Sequence, residues 1–172
     1  MQEVKLPHAI DPVRAAQQRL SYHGVLVSDQ LPRLHDAASL VEPARVELDC
    51  IVDAQKLPVI QGRIQARVMV ECQRCSGPFE QALDVTFAYC AVAQGDDNAL
   101  IPEAYEQVEL DDQGELNLNQ LLEDELLLAL PLVPRHELAD CGLDLRTMSF
   151  GELPAEALKR NPFEALSQLK KD

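Results

Sequence analysis

Two cysteines separated by two residues are the clearest candidates for chemistry in this sequence. Cys72 and Cys75 form the motif Cys72-Gln-Arg-Cys75, which ends a stretch of alternating apolar residues and precedes a glycine-proline turn. Two thiols at this spacing can occupy two corners of a tetrahedral zinc site. A complete site needs two further ligands, and the best candidates are His136 and Cys141, which are spaced H-x4-C.

The same motif has two other interpretations. A thioredoxin-like redox role is disfavoured, because it needs the first cysteine at a helix N-terminus, and here the sequence returns to strand-like alternation. The favoured interpretation is a pair of thiols at a hairpin tip in a reducing cytosol. We therefore expect no cofactor and keep zinc as the alternative, with four ligands: Cys72, Cys75, His136 and Cys141.

Cysteine number argues against a disulfide framework. The chain has five cysteines, an odd number at wide spacing, and its first residues, MQEVKLPHAI, contain no apolar segment or cleavage pattern of a signal peptide. Cys50 and Cys90 are weaker candidates for zinc ligands.

No run approaches the roughly 18 apolar residues of a membrane span. We expect a cytoplasmic protein that does not contact the membrane.

No catalytic constellation is visible. The sequence has no nucleophile elbow, no glycine-rich phosphate loop and no arrangement of Ser, His and Asp. Glu123, Asp124 and Glu125 are consecutive, so they point in three directions from a helix and cannot converge as an acid–base pair. We therefore expect a protein without enzymatic activity.

Charge is distributed unevenly along the chain. The formal net charge is -14, and the stretch between Arg74 and Arg135 holds 13 acids but no Lys or Arg. Such a region repels a nucleic-acid backbone and attracts a basic partner, although acidic runs often serve solubility alone. The candidate partner-binding residues in this region are Asp111, Asp112, Glu123 and Asp124.

The stretch 116–134, LNLNQLLEDELLLALPLVP, predicts a long helix. Its leucines cover one broad face at 100° per residue. Asn117 or Asn119 can cap its start, and the two prolines near its end stop it. Glu125 projects into the apolar face, so we expect it to be largely buried and hydrogen-bonded. The two acids before it point elsewhere, which is why they are assigned to the partner surface.

Alternating apolar residues predict neighbouring strands at 46–54, 59–70 and 83–91, with a further strand at 106–110. Short links between neighbouring strands favour antiparallel pairing. We expect an α+β fold over residues 1–150: a single domain with an antiparallel β-sheet or partly closed barrel, packed by a few helices.

Two further helices are predicted near the ends of the chain. Asp11 and Pro12 predict the start of a helix that ends before Gly24. Residues 151–172 are expected to form a C-terminal helical tail, in which a capping-box pattern begins a helix over 161–170. The apolar face of that helix docks on its own sheet or binds another protein. Phe163 on this face is therefore a candidate partner-binding residue.

Four segments, taken together and in order, resemble the YceD family, the large ribosomal RNA subunit accumulation proteins of bacteria and plastids. They are VKLPHAIDPVRAAQQRL, VECQRCSGPF, LLEDELLLALPLVPRH and GELPAEALKRNPFEALSQLK. The resemblance runs from Met1 to Lys171 and is strongest to the proteobacterial branch. It implies a role in the synthesis, processing or stability of large-subunit (23S) ribosomal RNA, with no assigned enzymatic activity.

The resemblance also concerns the partner and the metal. The family's gene commonly lies beside that of a small basic large-subunit ribosomal protein. The implied partner is therefore a basic ribosomal protein, an assembly factor or a pre-large-subunit particle, with indirect contact to nucleic acid. Many relatives carry a second cysteine-rich segment that would complete a metal site with Cys72 and Cys75. Here that segment holds only His136 and Cys141, which departs from the family pattern.

Two alternatives to a protein-binding role stay open. One is direct binding of ribosomal RNA through basic residues of the N-terminal half, chiefly Arg14, Arg19 and Arg33, with Lys5, Arg63, Arg67 and Arg74 as further candidates. It ranks second, because residues 1–90 hold 9 Lys and Arg against 11 Asp and Glu. The other alternative is a sensor that uses the two-cysteine motif to bind metal or to change its thiol state.

Overall fold

The computed structural model describes residues 2–92, 101–137 and 140–141 of the 172-residue chain. The helices are α1 (Pro12–Gln18), α2 (Pro32–Ala37) and α3 (Leu118–Ala129), with a 3-10 turn at Ser28–Gln30. The strands are β1 (Gln2–Lys5), β2 (Ala9–Ile10), β3 (Leu20–Leu26), β4 (Ser39–Leu40), β5 (Ala44–Val52), β6 (Pro58–Glu71), β7 (Pro78–Val92), β8 (Glu106–Glu109) and β9 (Leu116–Asn117). The predicted tail 151–172, its helix over 161–170 and Phe163 lie outside the described residues.

One mixed sheet organises the described part of the fold. Its strand order is β1-β3-β5-β6-β7-β8, with β4 also paired to β6, and β2 pairs with β9 separately. The strands from β3 to β7 pair antiparallel, as predicted, but the two outer pairs, β1 with β3 and β7 with β8, are parallel. The α+β class is confirmed. The sheet is open, so the alternative of a partly closed barrel does not apply.

The long β6–β7 hairpin forms the centre of the sheet. Ile64, Ala66, Val68 and Val70 on β6 are buried, as their alternation predicted. In β5 the same alternation holds as far as Cys50. Val52 shares the face of Cys50 by alternation but is 42% exposed, because it pairs with Pro58 where the β5–β6 hairpin turns, at the margin of the core.

Helix α3 packs its leucines on this sheet. The Asn117 side chain caps the helix by accepting the N–H of Gln120 at 3.1 Å. The helix ends at Ala129, earlier than predicted, because the residue before Pro131 avoids the helical conformation. Leu126 is fully buried, whereas Leu128 is 80% exposed. The two lie about 200° apart on the helix, so both cannot face the core.

Helix α1 begins where the sequence predicted but ends earlier. The Asp11 carboxylate accepts the N–H of Arg14 at 2.9 Å, and Pro12 occupies the first turn. Arg19 adopts a left-handed φ of 53° and ends the helix. Strand β3 therefore starts at Leu20, within the stretch before Gly24 that the sequence analysis assigned to the helix.

Candidate metal centre and acidic surface

The turn between β6 and β7 holds Cys72 and Cys75 in one compact loop. The N–H of Cys72 donates to the Gly77 carbonyl at 2.9 Å, and the N–H of Ser76 donates to the Cys72 carbonyl at 2.8 Å. Ser76 has a left-handed φ of 55°, which reverses the chain direction. These bonds keep both thiols on one short loop, as two ligands of a single ion require.

The segment after α3 brings the second pair of candidate ligands to this turn. The N–H of Gln73 donates to the Pro134 carbonyl at 2.9 Å and joins the segment to the turn. Two residues later, the N–H of His136 lies 3.5 Å from the Cys72 sulfur. The Nδ1 atom of His136 lies 3.3 Å from the Cys75 sulfur.

Four side chains meet at this point: Cys72, Cys75, His136 and Cys141. One donor atom from each lies within 4.8 Å of the other three, and Cys72 and Cys141 are buried. A Cβ on Gly77 would lie 3.4 Å from the Cys75 sulfur and 3.5 Å from His136 Cε1, in ordinary van der Waals contact, so the turn lies directly beside the cluster. Three thiols and one imidazole are a donor set that suits zinc. The residues therefore fit a structural zinc site.

The ligand set proposed from the sequence is thus a spatial cluster, although the second pair departs from the family pattern. The motif does lie at a hairpin tip, but its thiols are not isolated there. The weaker candidates Cys50 and Cys90 lie outside the cluster. Burial and the nearby Asp49 raise the pKa of Cys50 to about 12, and burial also raises the pKa of Cys90. Both remain neutral thiols that pack as small apolar side chains.

Hydrogen-bond donors surround the Cys72 sulfur. Burial raises the pKa of this thiol, but the backbone N–H groups of His136, Arg74 and Cys75 outweigh burial and lower the pKa to about 5. The lowered pKa favours the thiolate of Cys72, the form that binds metal ions.

Arg74 also takes part in this cluster, which the sequence analysis missed. Its Nε–H donates to the Cys141 sulfur at 3.0 Å, and its Nη2 donates to the His136 carbonyl at 2.9 Å. We had assigned Arg74 to the basic residues available for RNA. The available signal was its place inside the two-cysteine motif, where a side chain can fold back over the site.

Glu123 does not lie on an exposed surface, which corrects its assignment to the partner surface. Its side chain is 5% exposed, and Oε1 accepts the backbone N–H groups of Arg33 and Leu34 at 2.7 and 3.1 Å. Helix α2 packs against α3 and covers this residue. The position of Glu123 on the face of α3 could not predict this burial, because the covering helix α2 lies about 90 residues earlier in the chain.

Asp124 remains accessible, with 45% of its side chain exposed, but it is paired with Arg33 at 2.6 Å. The same guanidinium binds Glu123 at 2.9 Å. Arg33, a leading candidate for RNA contact, is therefore already engaged with two carboxylates. Asp124 stays a candidate for partner contact at the margin of the α2–α3 pair.

The expectation for Glu125 is confirmed. The residue is 9% exposed and accepts a hydrogen bond from the hydroxyl of Tyr89, which is itself buried on β7. Burial and the adjacent Glu125 carboxylate raise the pKa of Tyr89. Glu125 thus anchors α3 to the sheet and has a structural role.

Two exposed acids of the Lys- and Arg-free stretch, Glu80 and Asp84, lie on β7 and are paired with arginines. Six others lie on β8 or in the segments on either side of it. We call this set the acidic edge: Glu103, Glu106, Glu109, Asp111, Asp112 and Glu115. Among the described strands, β8 pairs only with β7 and so lies at the outside of the sheet. Within the described residues, no Lys or Arg forms an ion pair with the acidic edge. Asp111 also shapes the turn by accepting the N–H groups of Gln113 and Glu115.

Four of the other basic candidates lie on α1, at its end, and on β6. Arg14 and Arg19 are exposed on α1 and at its C-terminal end. The remaining ion pairs of the described residues place cations beside acids on the polar face of the sheet: Arg63 with Asp84, and Arg67 with Glu42 and Glu80. Arg63 and Arg67 share the exposed face of β6, but acids already neutralise their charge. No helix in the described ranges has the length and apolar composition needed to cross a membrane.

The comparisons with known proteins agree with one another. A family model described as "Large ribosomal RNA subunit accumulation protein YceD" matches residues 60–170. A curated relative with the same description, from Haemophilus influenzae, is 44% identical over 172 residues, which cover 99% of this chain and 99% of the relative. No solved structure matches the chain.

Proposed function

The chain belongs to the YceD family of large ribosomal RNA subunit accumulation proteins, and on that premise we propose that it is a ribosome-biogenesis factor. It supports the synthesis, processing or stability of large-subunit ribosomal RNA. The observation that carries this proposal is the 44% identity over nearly the whole of both chains. We further propose that the protein acts in the cytoplasm through binding, without an enzymatic activity of its own.

The acidic edge is the contact surface in this proposal. Its six exposed carboxylates have no described cation paired with them, so their charge is available to a partner. Unpaired carboxylates on an outer strand repel a phosphate backbone and attract Lys- and Arg-rich protein surfaces. The partner is therefore a basic ribosomal protein, an assembly factor or a pre-large-subunit particle, and contact with RNA is indirect.

A charge-matched pair of variants tests the contact surface. The first carries Glu106→Gln, Glu109→Gln and Asp112→Asn on the acidic edge. The control carries Asp29→Asn, Asp36→Asn and Glu71→Gln, three exposed acids elsewhere on the described surface. Each variant replaces the native protein in cells, is affinity-purified at moderate salt, and its associated proteins and RNAs are identified. Large-subunit RNA is measured in the same cells.

We expect the control to recover the same basic partner as the unaltered protein and the acidic-edge variant to lose most of it. Equal recovery by both variants would refute the role of the acidic edge. Recovery of ribosomal RNA without protein, lost when Arg14 and Arg19 are changed to Gln, would favour direct RNA binding instead. Normal large-subunit RNA in cells that lack the protein would refute the biogenesis role itself.

We also propose that Cys72, Cys75, His136 and Cys141 hold a structural zinc ion. The support is the donor set and the 4.8 Å limit on its mutual distances. A bound ion would supply bonds that join the β6–β7 turn to the segment after α3. Metal analysis of the protein purified without chelators tests this, with one equivalent of zinc expected. A content below about half an equivalent would argue against the site, because structural zinc sites fill nearly completely at their usual affinities.

A further inference from the structure

Arg74 lies between the first two candidate metal ligands, yet its side chain reaches the other two. Its Nε–H donates to the Cys141 sulfur at 3.0 Å, and Nη2 donates to the His136 carbonyl at 2.9 Å. One planar group thus contacts two residues that lie more than 60 positions later in the chain. Arg74 therefore joins the β6–β7 turn, which holds Cys72, to the segment after α3.

The guanidinium of Arg74 has no carboxylate partner among the described residues. In contrast, three other arginines form described ion pairs with one or two acids: Arg33, Arg63 and Arg67. Arg74 is half-buried, and its described polar partners are a sulfur and a backbone carbonyl. Since arginine remains charged at all ordinary pH values, a negative charge beside this half-buried guanidinium would stabilise it.

The filled cluster would supply that counter-charge. Three thiolates, a neutral imidazole and a divalent ion have a net charge of minus one, and one guanidinium balances it. A donor held on a ligand sulfur also fixes the direction of that sulfur, and such outer contacts commonly change metal affinity by about 10- to 100-fold.

We propose that Arg74 is a positioning residue of the metal centre, which balances the charge of the thiolate cluster and orients Cys141 and His136 for the ion. This inference rests on the zinc site proposed above. It explains how a pair of ligands outside the family's second cysteine-rich pattern can complete the centre. It also assigns a binding role to the arginine inside the motif, and Arg74 is thereby removed from the residues available to RNA.

Substitution of Arg74 by lysine or by glutamine separates charge balance from the orientation of the two ligands. Arg74→Lys keeps the charge but cannot donate to both Cys141 and His136 with one rigid group. Arg74→Gln removes the charge as well. Arg135→Gln is the matched control, because Arg135 precedes His136, is exposed, and makes no described contact with a candidate ligand.

Competition for Zn²⁺ against a chromophoric chelator gives the affinity of each full-length, reduced protein. The spectrum of the Co²⁺-loaded protein reports the number of thiolate ligands. We expect Arg74→Gln to bind Zn²⁺ about 10- to 100-fold more weakly, Arg74→Lys to lie between it and the unaltered protein, and Arg135→Gln to match the unaltered protein. Urea unfolding of the metal-free proteins should be the same for the Gln variants at positions 74 and 135.

Each outcome decides the matter. Equal Zn²⁺ affinity for Arg74→Gln and the unaltered protein would overturn the inference and leave the zinc site intact. A loss of affinity matched by an equal loss of metal-free stability would overturn it too, because Arg74 would then only hold the turn. Failure of the unaltered protein to bind either ion would overturn both the zinc site and the role of Arg74. Large-subunit RNA levels test the biogenesis proposal separately.

Discussion

The carboxylate of Glu123 accepts hydrogen bonds from both the backbone and the side chain of Arg33. Oε1 of Glu123 accepts the backbone N–H of Arg33 at 2.7 Å, and Oε2 accepts the Nε–H at 2.9 Å. Helix α2 begins at Pro32, and its N-cap residue, Leu31, has no side-chain oxygen to cap the first turn. Glu123 on α3 therefore supplies the cap of α2 from a distant part of the chain.

Replacing this carboxylate should destabilise the fold. We expect Glu123→Ala to lower the free energy of unfolding by about 1.5 to 3 kcal/mol, because it leaves two backbone N–H groups and the Nε–H of Arg33 without their acceptor. Asp124→Ala is the control, since its pair with Arg33 is roughly half exposed and such pairs contribute about 0 to 1 kcal/mol. Urea unfolding measures both. Equal losses would contradict the capping role.

The Tyr89–Glu125 contact gives a second prediction. Tyr89→Phe leaves the buried Glu125 carboxylate without its donor and should cost about 1 to 3 kcal/mol of unfolding free energy. Glu125→Gln keeps an acceptor for the hydroxyl and should cost less. Urea unfolding at neutral pH compares the two variants. A smaller loss for Tyr89→Phe than for Glu125→Gln would mean that the hydroxyl does not satisfy the carboxylate.

The same pair predicts a dependence on alkaline pH. Burial and Glu125 raise the pKa of Tyr89 in the folded protein, so the protonated phenol is favoured by folding. Its contribution to stability is complete below the unfolded pKa of about 10 and is lost as pH rises through the folded pKa. The stability difference between the unaltered protein and Tyr89→Phe should therefore be flat from pH 7 to about 10 and shrink above it. A difference that grew above that pH would contradict this assignment.

Loss of a zinc ligand should lower the zinc content of the protein, and removal of zinc should lower its melting temperature. We expect Cys75→Ser to bind less than about half an equivalent of zinc, whereas Cys50→Ala, outside the cluster, should keep one equivalent. Chelation should lower the melting temperature of the unaltered protein and of Cys50→Ala, but not that of Cys75→Ser. Metal analysis and thermal unfolding measure this. Zinc retained in full by Cys75→Ser would show that the cluster is not the binding site.

Gly62 gives a prediction that is independent of function. A Cβ there would lie 2.4 Å from the Glu47 carbonyl oxygen and 2.9 Å from Phe87, so β5 or the Phe87 ring must move. Gly62→Ala should cost about 1 to 3 kcal/mol, as overpacking usually does. Gly114→Ala is the comparison, because it has open space but a φ of 78° and should cost less than Gly62→Ala. Urea unfolding that ranked them in the reverse order would contradict the close approach of β5 and β6.

Local patterns in the sequence predicted much of this fold. The burial of Val68 and the cap by Asn117 depend on neighbours a few positions away, and the sequence contains that information. The four candidate ligands were predictable as an alternative, because only a few cysteine and histidine residues can complete the two-cysteine motif. The favoured interpretation had been a pair of thiols with no cofactor. The burial of Glu123 was not predictable, because it depends on how α2 crosses α3. The same limit applies to the parallel pairing of β1 with β3 and of β7 with β8, because the alternation within a strand does not show the direction in which it pairs.

The cluster also has a consequence for the connectivity of the chain. Cys75 and His136 lie 61 positions apart, and the interval between them contains β7, the acidic edge, α3 and every residue of the stretch without Lys or Arg. An ion bound at both ends would close this interval into a loop, and a cross-link over such a length removes unfolded-state entropy worth on the order of 4 kcal/mol. The stretch without Lys or Arg would then lie inside this loop, and loss of the ion would open the loop while β7 stays paired with β6.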